Sequence, residues 1–217
     1  MATAIQTDQI DYPDRDSSNQ TDIVDRGERY CIIGAGPAGL ATARSFGRHG
    51  VLYDQFERAS EVGGVWNIDS PWSTMYESAH LISSKNSTEF HDFPLPDEAA
   101  DYPHYSTVYD YFRDFAEEFG LYEHIEFETE VVDVEPDGDT WLVELDSGEV
   151  RRYEGIAIAN GHLHTPNLPD FPGEFDGELF HSSEYRTADV FDDKRVMVVG
   201  AGNSGCDIAV DAVHRAD

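Results

Sequence analysis

The chain has 217 residues, 44 acidic and 14 basic, with a formal charge of −30 at neutral pH. A charge of that sign repels nucleic acid and the anionic face of a membrane, which excludes polyanionic partners. The length allows one large domain, or an ordinary domain and the start of another, and 40% hydrophobic with 12% aromatic residues is the composition of a folded globule.

With only Lys85 and Lys194 as lysines, the acidic excess resembles the surfaces of proteins from salt-loving microbes, where dissolved salt screens carboxylate repulsion. Cys31 and Cys206 lie in separate βα units, so neither a disulfide framework nor a CxxC pair is available, and a reducing cytoplasm fits. A dithiol oxidoreductase is excluded on the same ground. The first 28 residues lack a basic start followed by an apolar stretch. No apolar run approaches the roughly 18 residues of a membrane span.

In chain order, residues 1–29 are rich in Asp, Ser, Thr and Gln and read as a disordered acidic tail. The apolar run Tyr30 to Ile33 predicts a strand entering Gly34-Ala35-Gly36-Pro37-Ala38-Gly39, then a helix from Leu40 to His49 stopped by Gly50. A second strand is expected from Val51 to Phe56, followed by a long polar and aromatic connection to about Tyr105. Val108, Tyr111, Phe112, Phe115 and Phe119 recur at helical spacing after Ser106, a potential N-cap, and Gly120 ends that helix; the aromatic stripe reads as core. Strands are expected at Ile125 to Val134, Thr140 to Leu145 and Glu149 to Tyr153, separated by Asp137-Gly138 and Ser147-Gly148, which predicts an antiparallel meander. A buried strand, Gly155 to Ala159, follows.

The Pro-rich stretch Thr165 to Gly173 reads as a crossover. A strand at Arg195 to Val199 then enters Gly200-Ala201-Gly202-Asn203-Ser204-Gly205 and a helix from Cys206 to His214.

A strand–GxGxxG–helix unit is a dinucleotide-binding pattern: Gly34 permits the tight turn, Gly36 lets a pyrophosphate reach the backbone, and Gly39 allows helix to pack on strand. The N-terminus of the following helix then faces the phosphates with unpaired N–H groups and the positive end of its dipole. Glu57, at the end of the next strand, is placed to accept hydrogen bonds from a ribose diol, with Asp54 as the competing carboxylate. Gly200, Gly202, Asn203, Ser204 and Gly205 repeat the pattern for a second nucleotide. No metal set is expected, since His162 and His164 at i,i+2 in an extended loop point apart and His181 has no ligand partners at metal spacing.

Phe56-Glu57-Arg58 followed by Gly63-Gly64-Val65-Trp66 resembles the flavin-binding stretch of flavin-containing monooxygenases. Phe175, Gly177, His181 and Tyr185 fit that family's FxGxxxHxxxY fingerprint, and they lie between the two glycine motifs as the family requires. Ala159-Asn160-Gly161 resembles the segment closing the family's FAD domain, with Asn160 in place of threonine. The segment Ser83-Ser84-Lys85 resembles the one passing near the isoalloxazine, but Ile82 stands where many members carry Asn, leaving Ser83 and Lys85 as the flavin-proximal candidates.

The resemblance implies FAD at Gly34, Gly36, Pro37, Ala38, Gly39, Glu57, Arg58, Gly64, Val65 and Trp66, and NADP at the second turn. It further implies reduction of FAD by NADPH, capture of O2 as a C4a-peroxyflavin, and transfer of one oxygen to a small-molecule amine or sulfide. The Tyr185-Arg186 ending lacks the Trp of Baeyer–Villiger relatives and points to the heteroatom-oxygenating branch. The expected fold is α/β: a Rossmann-like FAD-binding domain with an antiparallel meander over 30–165, then over 166–217 a crossover and the start of a second Rossmann-like domain. That second domain is expected to be incomplete. The alternative to a monooxygenase is therefore a truncated or split FAD-binding fragment that acts with a complementary C-terminal chain.

Overall fold

The computed structural model describes residues 22–216. The expected tail lies outside the described residues up to position 21, but its last part is ordered. Ile23–Asp25 form strand β1, paired in parallel with β7 (Val150–Tyr153), in place of a tail reaching to Arg29. Arg26 and Arg29 fix this segment by converging on the buried Asp54: Arg26 Nε lies 2.7 Å and Arg29 Nε 2.8 Å from its carboxylate oxygens, and the Tyr153 hydroxyl donates at 2.9 Å. Burial alone would push the Asp54 carboxyl up. The hydrogen bonds from Arg26 and Tyr153 and the charges of both arginines outweigh that and hold it below the usual carboxylate range.

Strand β2 (Tyr30–Ile33) leads through the first glycine turn into α1 (Pro37–His49), which starts three residues earlier than the periodicity indicates because Pro37 occupies the first helical position. Strand β3 (Tyr53–Phe56) follows, and after the 57–104 connection, with the short α2 (Lys85–Thr88), comes α3 (Tyr105–Glu118). The N-cap of α3 is His104 rather than Ser106, its ring nitrogen accepting from the Ser106 amide. The strand expected over Ile125 to Val134 is two strands in different sheets. The chain turns at Glu128, whose φ is 52°, so β4 (Ile125–Glu126) joins β3 while β5 (Val131–Asp137) starts the meander.

Strands β4, β3, β2 and β8 (Gly155–Ile158) form, in that order, an all-parallel sheet. The second sheet runs β1-β7-β6-β5, with β6 (Thr140–Leu145) antiparallel to both β5 and β7. Side chains alternate across the parallel sheet. Ile32 and Tyr53 face α1 and α3, where Leu40, Ala43, Val108, Phe112 and Phe115 are buried, while Cys31 and Phe56 face Val143, Leu145 and Tyr153 of the meander.

The second βα unit differs from expectation. Residues 195–199 form no strand, because no neighbour offers a ladder among the described residues; Val196 and Val198 pack inward while Met197 and Val199 stay exposed. The helix after the turn, α4 (Asn203–Val213), begins before Cys206.

The basic residues are largely committed. Arg44 and Arg48 face Asp92, Arg151 faces Glu126 and Glu149, and Arg215 faces Asp189 and Asp192. Fourteen cations cannot balance 44 carboxylates. Molar potassium chloride, which shortens the screening length to about 3 Å, is expected to raise the melting temperature by about 10 °C, equivalent to about 3 kcal/mol for a chain of this size. A melting temperature unchanged between dilute buffer and molar salt removes the halophilic reading.

Candidate functional site

The first glycine turn has the geometry of an anion cradle. Gly34 has φ 102°, and a side chain there would meet the Ala159 carbonyl oxygen at 2.6 Å, so the end of β8 presses on the turn. Gly36 caps α1 in extended conformation without any side-chain cap, and no acidic residue stands in the first turn. Pro37 has no N–H, and the first-turn N–H groups of Ala38 and Gly39 have no intrahelical acceptors. Gly39 lies against the Gly34 carbonyl. Gln55 supports the turn from below, its Nε2 donating to Gly34 O at 2.9 Å.

Glu57 reaches the same turn. One carboxylate oxygen accepts from the Ala35 amide at 2.6 Å and the other from the Ala59 amide at 2.9 Å. An ionised carboxylate offers about four lone-pair sites, so both oxygens can still accept hydroxyl donors. Asp54, the competing carboxylate, is held by Arg26, Arg29 and Tyr153 between the two sheets and is removed from candidacy.

The Gly63–Trp66 segment folds back over the turn. The Gly63 amide donates to Ala35 O at 3.0 Å, and Gly64 Cα lies 3.6 Å from the point where a Gly36 side chain would begin. Gly64 therefore contributes backbone at the turn, whereas Trp66 packs on Phe112 and Val65 joins a buried cluster with Tyr185. Arg58 and Ala59, which follow Glu57 in the chain, line a cleft of about 450 Å³ together with Asn67, Ser70, Trp72 and four carboxylates, Asp69, Glu128, Glu130 and Asp146. The Arg58 guanidinium lies 4.8 Å over the Trp72 ring and 3.6 Å from Glu130.

Lys85 and Ser83 do not take part in this cradle. The Lys85 ammonium donates to the carbonyl oxygens of Pro96, Asp97 and Ala99 at 2.8–3.1 Å, which makes it a loop staple. Ser83 pairs with Thr88, and Ile82 is exposed.

The fingerprint residues separate into two roles. Phe175 is exposed and folds over Gly177. His181 accepts from the Ser183 amide at 3.1 Å while Glu184 accepts from the His181 amide, closing a capping box. Tyr185 is 1% exposed, stacks on Phe191, and donates to Asp211 on α4 at 2.7 Å.

The second turn copies the first in backbone. Gly200 has φ 129°, Gly202 caps α4 in extended conformation with no side-chain cap, and a Gly205 side chain would meet the Gly200 carbonyl oxygen at 2.8 Å. Asn203 and Ser204 occupy the first turn of α4. Among the described residues no group of three His, Cys, Asp or Glu side chains is placed to hold a metal, and no helix is long and apolar enough to cross a membrane.

Sequence reasoning does not single out Gln55, Tyr76, Ser78, Asp207 or Asp211. The i,i+4 spacing of Asp207 and Asp211, on a helix that buries Ile208 and Ala212, is the available signal for the last two.

A parallel Rossmann-like sheet beside an antiparallel meander, with two glycine turns of similar backbone geometry at helix N-termini, places the chain in the α/β class. Residues 27–217 match the model of the flavin-binding monooxygenase-like family, and the chain belongs to that family. Flavin-containing monooxygenase 3 of Macaca mulatta is 38% identical over 207 residues, which is 88% of this chain and 39% of the relative. The S-allyl-L-cysteine S-oxygenase of Allium sativum superposes with a TM-score of 0.79 at 29% identity, over 89% of this chain and 50% of that one. An oxidized steroid monooxygenase bound to NADP superposes with a TM-score of 0.68 at 28% identity, over 87% of this chain and 37% of that one. The chain thus spans 39% of the length of the curated relative.

Proposed function

We propose that the chain holds FAD at the 34–39 turn and NADP(H) at the 200–205 turn, as the cofactor-binding part of a monooxygenase that inserts one atom of O2 into a small-molecule amine or sulfide. The observation that carries this reading is the pair of uncapped helix N-termini behind glycine turns of the same backbone geometry, the first with Glu57 beside it. FAD fits the residues present. The Ala38 and Gly39 amides and the bare backbone of Gly36 and Gly64 suit a pyrophosphate, and Glu57 suits a ribose diol.

For the nicotinamide nucleotide, Gly202 and the first-turn residues Asn203 and Ser204 would hold the pyrophosphate. The flavin supplies hydride acceptance and oxygen activation when bound, and the protein's part is to hold, orient and shield it from water. The likeness to a plant S-oxygenase favours a soft sulfur or nitrogen substrate.

A second reading is a unit that holds FAD and turns over only with a complementary polypeptide. The exposed, unpaired 195–199 segment favours it, since Met197 is 81% and Val199 62% exposed where a nucleotide-binding sheet buries its strands. Anaerobic stopped-flow mixing with NADPH separates the two. The expected result is FAD retention with slow bleaching in the 217-residue chain, and rapid bleaching in a fusion of the chain to a family C-terminal part. Rapid bleaching by the chain alone overturns the second reading, and a chain that takes up NADPH at the first turn and never FAD overturns both.

A further inference from the structure

We infer that Asp207 and Asp211 of α4 are positioning residues: they receive three hydroxyls from the flavin-side unit and the fingerprint, and so set the second glycine turn in a fixed pose on the first. The inference rests on the two-cofactor reading above and adds to it the side chains that align the two sites.

Asp207 accepts from the Tyr76 hydroxyl at 2.7 Å. Asp211, one helical turn on, accepts from the hydroxyls of both Tyr185 and Ser78 through a single oxygen, with Tyr185 at 2.7 Å. Tyr76 and Ser78 belong to the segment that continues from Gly64, and each is more than 130 positions from its partner in the sequence. Hydroxyl bonds to an ionised acceptor are about twice as strong as neutral ones, and they are directional. In a chain with 44 acidic residues most carboxylates meet water, so three hydroxyls from two other segments converging on two neighbouring carboxylates of one helix is a specific arrangement.

The surrounding packing gives these bonds a rigid frame. Tyr76 and Tyr185 lie ring to ring at 5.5 Å, and Tyr185 stacks on Phe191 at 5.4 Å. Burial and the Asp207 hydrogen bond push the Tyr76 phenol up to about 12, so it remains a donor throughout the physiological range. A second link, the Arg186 carbonyl accepting from the Glu77 amide at 2.8 Å, holds the end of the fingerprint to the same segment. The turn at 200–205 runs directly into α4, so whatever fixes Asp207 and Asp211 fixes the turn.

The test reads geometry. Cys206 is the exposed thiol in α4 and Cys31 is buried, so spin labels on Cys206 and on a cysteine introduced at the exposed Ser45 of α1 report the spacing of the two helices that follow the glycine turns. The labelled parent is expected to give one narrow distance distribution. Asp211→Leu, and separately Tyr185→Phe combined with Ser78→Ala, should broaden it or add a second distance. Asp211→Asn, which keeps an acceptor oxygen, should restore the parental distribution. The paired hydroxyl deletion keeps both backbone segments and the Tyr185 ring, so it decides the matter even if Asp211→Leu fails to fold.

A variant that melts earlier but keeps the parental distribution assigns these residues a purely structural role and overturns the inference. FAD occupancy measured on the same samples tests the reading beneath it. A broadened distribution in a protein that never takes up FAD leaves the clasp standing and removes the cofactor assignment.

Discussion

Gly39→Ala is expected to abolish FAD retention and to lower the stability of the chain by about 3 kcal/mol, the upper end of the usual overpacking cost. The added Cβ would stand 2.0 Å from the Gly34 carbonyl oxygen and 3.0 Å from Gln55 Nε2. The first of these is backbone, so no rotamer change relieves it. Either α1 moves off β2 or the turn opens, and the turn is where the first-turn amides would face the FAD proposed above. Gly47→Ala in the same helix is the control, since a side chain there meets nothing within 4 Å. Replacing this last-turn helical glycine by alanine should stabilise the chain by about 0.5 kcal/mol. Urea unfolding with and without FAD checks both variants. A Gly39→Ala protein as stable as the parent and still binding FAD would mean that the turn relaxes freely, and the cradle described above would lose its main steric argument.

What makes this part of the molecule legible in the sequence is that its constraints are local. Gly34, Gly36 and Gly39 answer to a strand–turn–helix unit only a few residues long, and the α3 stripe at Val108, Tyr111, Phe112 and Phe115 follows from helical period alone, so the turn, both long helices of the first unit and the meander can be read from the chain. Where long-range pairing decides the outcome, sequence reasoning stops short. No glycine or proline marks the break at Glu128, and only the pairing of Ile125–Glu126 with β3 shows that the run divides between sheets. Nothing local to Ile23–Asp25 announces a strand; it forms because β7 presents an edge and Arg26 and Arg29 reach Asp54.

The candidate site shows the same division. Glu57 is identifiable from its place at the end of β3, and Asp54 is separated from it only by the buried arginine and tyrosine contacts that the fold brings together. Lys85 resists a reading from sequence because its carbonyl partners, Pro96, Asp97 and Ala99, lie more than ten positions away in an irregular loop. Residues 195–199 have the composition of a strand, and the alternate burial of Val196 and Val198 retains its period of two, but a strand requires a neighbour as well as a pattern.

Glu57→Ala should weaken FAD binding by at least about 100-fold, or about 2.8 kcal/mol, at a tenfold change per 1.4 kcal/mol. Two separate effects follow from the substitution. The ribose loses its anionic acceptor, and the Ala35 and Ala59 amides lose theirs in a place where Glu57 is 8% exposed. A buried amide left without a partner costs about 1–3 kcal/mol, so the variant should also be less stable before any FAD is added. Glu57→Gln distinguishes the two effects. Its amide keeps one acceptor oxygen but turns an NH2 toward either Ala35 N–H or Ala59 N–H, placing donor against donor, so it should lose stability nearly as Glu57→Ala does while retaining one acceptor for the sugar. Fluorescence titration of the apoprotein with FAD, alongside urea unfolding without it, reads the two quantities independently. If Glu57→Ala loses stability but binds FAD as the parent does, Glu57 serves only to tie Ala35 to Ala59, and the ribose contact must be sought along the cleft at Arg58 and Trp72 instead.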